Sequence, residues 1–181
     1  MRRILITATL CTALAACGNP SADADGDGKI TMEEAAAKAE SMVQPQPGKY
    51  RATSELVSLE VPDAPKEVQD MMRKMMDRGP QTSEYCLSKE DASKGFQEMV
   101  RQSQASGTDC SFEKFDGEGT EIDAIMVCKN PGEGTARMTM QGTGGETSSD
   151  MTITMDAQGP NGKSMKMVMK NTQKRVGDCD S

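Results

Sequence analysis

Two hydrophobic periods alternate along this chain. From Tyr50 to Val61 apolar and polar residues alternate, with Val57, Leu59 and Val61 on one side, which predicts a long strand. A helix is expected over Ala64 to Asp77, capped by Asp63. Its apolar positions Val68, Met71, Met72, Met75 and Met76 recur at three and four residues and form one face. Gly79-Pro80 stops it, and Thr82 to Leu87 reads as a short strand. Ser88 and Asp91 mark a second helix start, with Ala92, Phe96, Met99 and Val100 as its buried stripe and Gly107 ending the region. From Asp109 the period is two. Cys110 to Phe115 and Glu121 to Cys128 flank a hairpin-turn composition at Asp116-Gly117-Glu118-Gly119-Thr120. Thr135 to Gly142, Asp150 to Asp156 and Lys163 to Val176 follow as strands between turns rich in Gly, Asn and Pro. The expected fold is α+β, a curved antiparallel sheet of about seven strands with two packed helices.

Composition changes this picture in one respect. Ile, Leu, Val and Phe together number 23 of 181 residues, a supply low enough to suggest disorder in a charged chain. Sixteen Met replace part of the missing apolar volume, and cysteines offer covalent staples. There is no His, which excludes Ser-His-Asp and Cys-His catalysis and His-ligated zinc. A net charge of −7 argues against nucleic-acid binding.

The N-terminus reads as an address. Met1-Arg2-Arg3 is basic, and Ile4 to Ala13 is an apolar run too short to span a bilayer. Leu14-Ala15-Ala16-Cys17 fits the lipobox of a bacterial lipoprotein, with Cys17 as the lipidated residue. Residues 1–16 are thus expected to be a signal peptide. Gly18, rather than Asp, follows the cysteine, which implies an outer-membrane anchor facing the periplasm. Cys11 leaves with the signal. Cys86, Cys110, Cys128 and Cys179 remain, and two disulfides are the default in an oxidising compartment. Three connectivities are open. A Cys110–Cys128 bridge is natural, because the midpoint of the two falls inside the predicted turn, and it leaves Cys86 with Cys179.

An acidic loop lies next to the expected anchor. Asp23 to Glu34 resembles the calcium loop of an EF-hand: Asp23, Asp25 and Asp27 at positions 1, 3 and 5, Gly28 at 6, Lys29 offering its carbonyl at 7, Ile30 at 8, Thr31 at 9 and Glu34 at 12. Ca²⁺ takes hard oxygen ligands, the glycine permits the sharp turn, and a bidentate Glu closes the shell. Thr31 and Glu34 also form a capping-box pattern for a helix near Met32 to Met42. No entering helix fits before Asp23, and no second loop is visible, so the motif is half of the usual pair and any Ca²⁺ affinity is expected to be weak. Residues 17–47 are expected to be a lipidated tether ending in the Gln44-Pro45-Gln46-Pro47-Gly48 linker, with the folded domain over 48–181.

Methionines alternate on the late strands. Met138 and Met140 share a face, as do Met151, Ile153 and Met155, and Met165, Met167 and Met169, while Lys166 and Lys170 point the other way. Met is first of all core volume. It also makes a soft, adaptable face for an apolar ligand or an envelope protein partner, and Met-x-Met spacing leaves Cu(I) as a remote alternative that no His supports. Asp116, Glu118, Glu121 and Asp123 crowd one turn, most simply as a solvated acidic turn.

Several motifs together resemble a family of small secreted bacterial domains, domain-of-unknown-function family 3617. They are Pro47, Gly48 and Tyr50; Cys86-Leu87; Asp109-Cys110-x-Phe112; Met126-x-Cys128; Met140-x-Gly142; Met165-Lys166-Met167; and Arg175-x-Gly177-Asp178-Cys179. Lys174-Arg175 replaces the arginine pair usual before the closing Gly-Asp-Cys. The resemblance spans about Gly48 to Cys179 and implies a fold without an assigned activity. The expected function is a non-enzymatic, membrane-anchored binding or structural module, or alternatively a calcium-responsive envelope protein.

Overall fold

The structure, a computed structural model, describes residues 22–95, 109–130 and 134–179. Seven strands form one antiparallel sheet: β1 (Gly48–Glu60), β2 (Gln81–Leu87), β3 (Asp109–Glu118), β4 (Glu121–Asn130), β5 (Gly134–Gly144), β6 (Ser148–Gln158) and β7 (Ser164–Gly177). Their order is β2-β1-β7-β6-β5-β4-β3, so β3 to β7 run as a meander and β7 returns to pair with β1. The sheet is open, with β2 and β3 at its edges. Each expected strand is present, because strict alternation on a half-buried pleat is a strong local signal. The hairpin turn is tighter than expected. β3 runs through Asp116, Gly117 and Glu118, leaving Gly119 and Thr120 to turn, with Gly119 at φ +58°.

Register places the methionines. Paired residues in antiparallel strands share a face. Phe112, Met126, Met138, Met155, Met167 and Leu59 form one row across six strands. Phe115, Ala124, Met140, Ile153, Met169 and Leu56 form the next. The opposite face is polar and carries cross-strand ion pairs such as Lys170–Asp150 (3.3 Å). In β1 the expected alternation slips. A bulge between Leu56 and Ser58 leaves Val57 60% exposed, while Leu59 turns onto the methionine face and is buried.

The helices depart more from expectation. Helix α1 (Met32–Ala39), read as part of a tether, packs against β3. Ile30, Met32, Ala35 and Ala39 form a core cluster with Phe112, Phe115, Ala124, Met126 and Cys128. Helix α2 (Lys66–Met76) was expected to bury its methionine face, yet has no buried residue. Its cap also differs. Pro65 is the N-cap with no side-chain hydrogen bond, and Asp63 instead accepts from the Ser164 backbone N–H (2.7 Å) and hydroxyl (2.9 Å), tying the β1–α2 loop to β7. Residues 89–95 are helical, and the Asp91 N–H donates to Ser88 Oγ (3.0 Å) as the start signal implied. Ala92 of the expected stripe is buried, and Phe96, Met99 and Val100 lie outside the described residues.

Two disulfides staple the sheet. Cys110–Cys128 crosses the β3–β4 hairpin (Cα–Cα 4.1 Å), and Cys86–Cys179 ties edge strand β2 to the segment after β7 (Cα–Cα 5.6 Å). Both are the pairs expected. Cys11, Cys17 and the apolar N-terminal run lie outside the described residues. No described helix is long and apolar enough to cross a membrane.

Candidate functional site: an acidic loop docked on a methionine face

The loop before α1 is ordered by its own carboxylates. Asp23 accepts from the N–H groups of Gly26 (2.8 Å) and Gly28 (3.0 Å), Asp25 from that of Asp27 (3.1 Å), and Asp27 from that of Lys29 (2.8 Å). Gly26 and Gly28 take positive φ (+74° and +84°), which lets so short a segment curl around its side chains. One oxygen each from Asp23, Asp25 and Asp27 lies within 4.8 Å of the others.

Glu34 closes the loop differently. Its Oε1 accepts from the Ala24 N–H (2.9 Å), and its Oε2 from the N–H (2.8 Å) and hydroxyl (2.9 Å) of Thr31. Thr31 Oγ1 in turn accepts from the Glu34 N–H (3.1 Å), completing the expected capping box. These hydrogen bonds, first that from the Thr31 backbone, hold the Glu34 carboxyl below its ordinary pKa. The sequence reading named six residues for a metal site here: Asp23, Asp25, Asp27, Lys29, Thr31 and Glu34. The structure brings three aspartates together and joins Glu34 and Thr31 in the adjacent cap, while the Lys29 N–H serves Asp27.

The loop is not an isolated arm. Ile30 donates its N–H to the Phe112 carbonyl (3.0 Å) and accepts from the Phe112 N–H (2.7 Å), a two-bond bridge onto edge strand β3. Three residues of helix α1, Met32, Ala35 and Ala39, then lie on the β3 end of the methionine face, with Met138 and Met140 packed beside them. Sequence reading missed this contact. Its only trace is the Met32, Ala35, Ala39 spacing, a narrow stripe whose small residues allow close approach to a sheet.

Beyond α1 the face continues through Met151, Ile153, Met155, Met165, Met167 and Met169, all half-buried. On the opposite face, Lys114 Nζ binds Asp123 (2.7 Å) and Asp116 (3.3 Å). Asp123 is held below its usual pKa by the Lys114 hydrogen bond, and Lys114 is raised by the same contact. Asp116 and Asp123 of the acidic turn are therefore ion-paired and solvent-facing.

The closing motif also has a place. Arg175 Nε donates to the Pro47 carbonyl (2.9 Å), and Tyr50 OH donates toward the Gln46 (2.8 Å) and Glu146 (2.9 Å) carbonyls. The Pro-Gly-x-Tyr and Arg-x-Gly-Asp-Cys segments thus meet across β1 and β7. A family model described as "Protein of unknown function (DUF3617)" matches residues 45–179. The chain belongs to the DUF3617 family. Comparison with curated proteins and with solved structures finds no match. DUF3617 carries no enzymatic designation, and its matched segment begins two residues before the Pro47-Gly48 motif. The acidic loop and α1 lie N-terminal to the match, yet they cover part of the DUF3617 sheet.

Proposed function

We propose that this chain is a non-enzymatic envelope lipoprotein, signal-processed after residue 16 and anchored at the outer membrane through Cys17, with its sheet facing the periplasm. Its methionine face is the working surface, taking an apolar ligand or an envelope partner. The observation that supports this reading is the pair of apolar rows running across six strands, buried under α1 at one end and half-buried through the methionines of β6 and β7. Bulges in β1 and β3 would curve the sheet about that face. Flexible thioether side chains let such a surface re-pack around different occupants. Native mass spectrometry of protein exported to the periplasm tests it. A retained lipid- or peptide-sized adduct, lost in a Met155→Glu/Met167→Glu variant, is expected; a bare polypeptide that also takes up no lipid overturns it.

A calcium-responsive reading is favoured by the Ile30–Phe112 bridge, because it gives a single loop a β partner in place of a second loop. The donor set suits Ca²⁺: three clustered carboxylates, with Thr31, Glu34 and the Lys29 carbonyl in sequence position to complete the shell. Ca²⁺ would compete for the Glu34 oxygens with the Ala24, Asp25 and Thr31 donors that hold them here. A bound divalent cation would supply charge neutralisation. The chain's own part is to couple loop order to the seating of α1 on the methionine face. Millimolar Ca²⁺ should raise the melting temperature of the wild type and leave Asp23→Ala/Glu34→Ala unmoved. Equal curves with Ca²⁺ and chelator for the wild type would reject the reading.

A further inference from the structure

Helix α2 presents an apolar arc to solvent. Val68 is 37% exposed, Met71 60%, Met75 61% and Met76 40%. Sequence pattern alone would turn this arc inward, but the other side of the helix is attached. Arg73 donates from Nη2 to the Leu59 carbonyl of β1 (3.2 Å). At about 100° per residue, Met71 and Met75 stand about 160° around the helix from Arg73. Val68, Met71 and Met75 therefore point away from the sheet that holds the helix, whereas Met76, about 60° from Arg73, lies nearer to it.

The charges beside the arc indicate what covers it. Glu67 in the first turn and Lys74 in the last are seven residues apart and share one margin of the arc. If a second α2 runs antiparallel about a two-fold axis between Asp70 and Met71, each Glu67 stands level with Lys74 of its mate. The methionines meet along the axis between them. The pattern is self-complementary, as an isologous contact requires, since the same patch serves both copies. A lipid surface lacks this match: acidic Glu67, Asp70 and Asp77 intersperse the basic residues along the helix. We infer that α2 is a homodimerisation helix, packing antiparallel against α2 of a second copy through Val68, Met71 and Met75.

Sedimentation velocity on the purified full chain tests this, over a dilution series from high micromolar to nanomolar. The wild type is expected to dissociate from dimer to monomer on dilution. Met71→Glu/Met75→Glu is expected to be monomeric throughout. Glu67→Lys should weaken the dimer at least about tenfold, since like charges then oppose across the interface. Adding Lys74→Glu to Glu67→Lys should restore it. That rescue keeps the test decisive even if the double methionine variant fails to fold. A monomeric wild type at every concentration overturns the inference. So does a dimer indifferent to the charge swap, which would pair elsewhere. Monomers that bind anionic vesicles through Met71 and Met75 would overturn it in favour of a bilayer.

Discussion

At the scale of single residues, the family motifs turn out to be sites of close approach. Gly48 sits at φ +149°, and a Cβ there would meet Arg175 Nε at 2.5 Å and the Gly177 carbonyl at 2.6 Å. The backbone oxygen cannot swing aside as a side chain can. Gly48→Ala is therefore expected to cost about 1–3 kcal/mol, read as a lower urea midpoint; an unchanged midpoint would show that the two motifs do not depend on this contact. Thr31 is the other informative residue. It caps α1 and accepts from the Glu34 N–H, so Thr31→Ala should destabilise by about 1 kcal/mol. Because α1 seats on Phe112 and Phe115, the same variant should raise hydrogen exchange along α1 before it does so in β6. The capping box was legible in sequence because it is a contact at three residues' separation. The Gly48–Arg175 contact spans more than a hundred residues, and nothing local announces it.

At the scale of elements, the strands were legible and the burial of the helices was not. A period of two fixes which residues share a face, and the Met138/Met140, Met151/Met155 and Met165/Met167/Met169 sets fall as read. One inserted residue in β1 defeats the same logic locally, sending Val57 out and Leu59 in. For α2 the amphipathic pattern states that an apolar arc exists and leaves open what covers it; the Arg73–Leu59 bond turns it outward. The disulfides allow a comparison between elements. Cys86–Cys179 spans 93 residues and Cys110–Cys128 spans 18. If restriction of the unfolded chain governs, the long closure stabilises by about 1.5 kcal/mol more than the short one. Urea unfolding of Cys86→Ala/Cys179→Ala beside Cys110→Ala/Cys128→Ala measures the difference. A larger loss from the short bridge would mean that packing around buried Cys128 outweighs chain entropy.

At the scale of the whole molecule, the fold is one sheet with a polar face, an apolar face and a partial cover. That cover comes from sequence expected to be a tether. Composition could not reveal it, because an Ala- and Glu-rich helix is equally at home in solvent; the Ile30–Phe112 bridge decides the matter. No polar or charged residue is buried among the described residues, so electrostatic stabilisation resides in exposed pairs and caps. Its pH dependence has a definite sign. Glu34, Asp63, Glu84 and Asp123 are all held below their ordinary values by hydrogen bonds, from Thr31, Ser164, Arg51 and Lys114 respectively. Between the folded and unfolded pKa values the unfolded chain binds more protons. Stability is then fully present above the unfolded carboxylate values of about 4 and is lost as pH falls through the lower folded ones. Lys114 works in the opposite sense. Its pKa is raised, so its contribution is present below about 10.4 and lost as pH rises through the folded value. Tyr50 and Tyr85, raised by burial, add to the alkaline loss. The urea midpoint should therefore be flat from about pH 5 to pH 9 and fall on both sides. Since the carboxylates are exposed, added salt should shallow the acid limb. Glu34→Gln should shallow it too, by deleting one of its four titrating groups. A midpoint unchanged between pH 7 and pH 3 would mean that ionisation of these carboxylates contributes nothing to the folded state, and that the Ile30–Phe112 bridge and the apolar contacts of α1 hold the loop on the sheet.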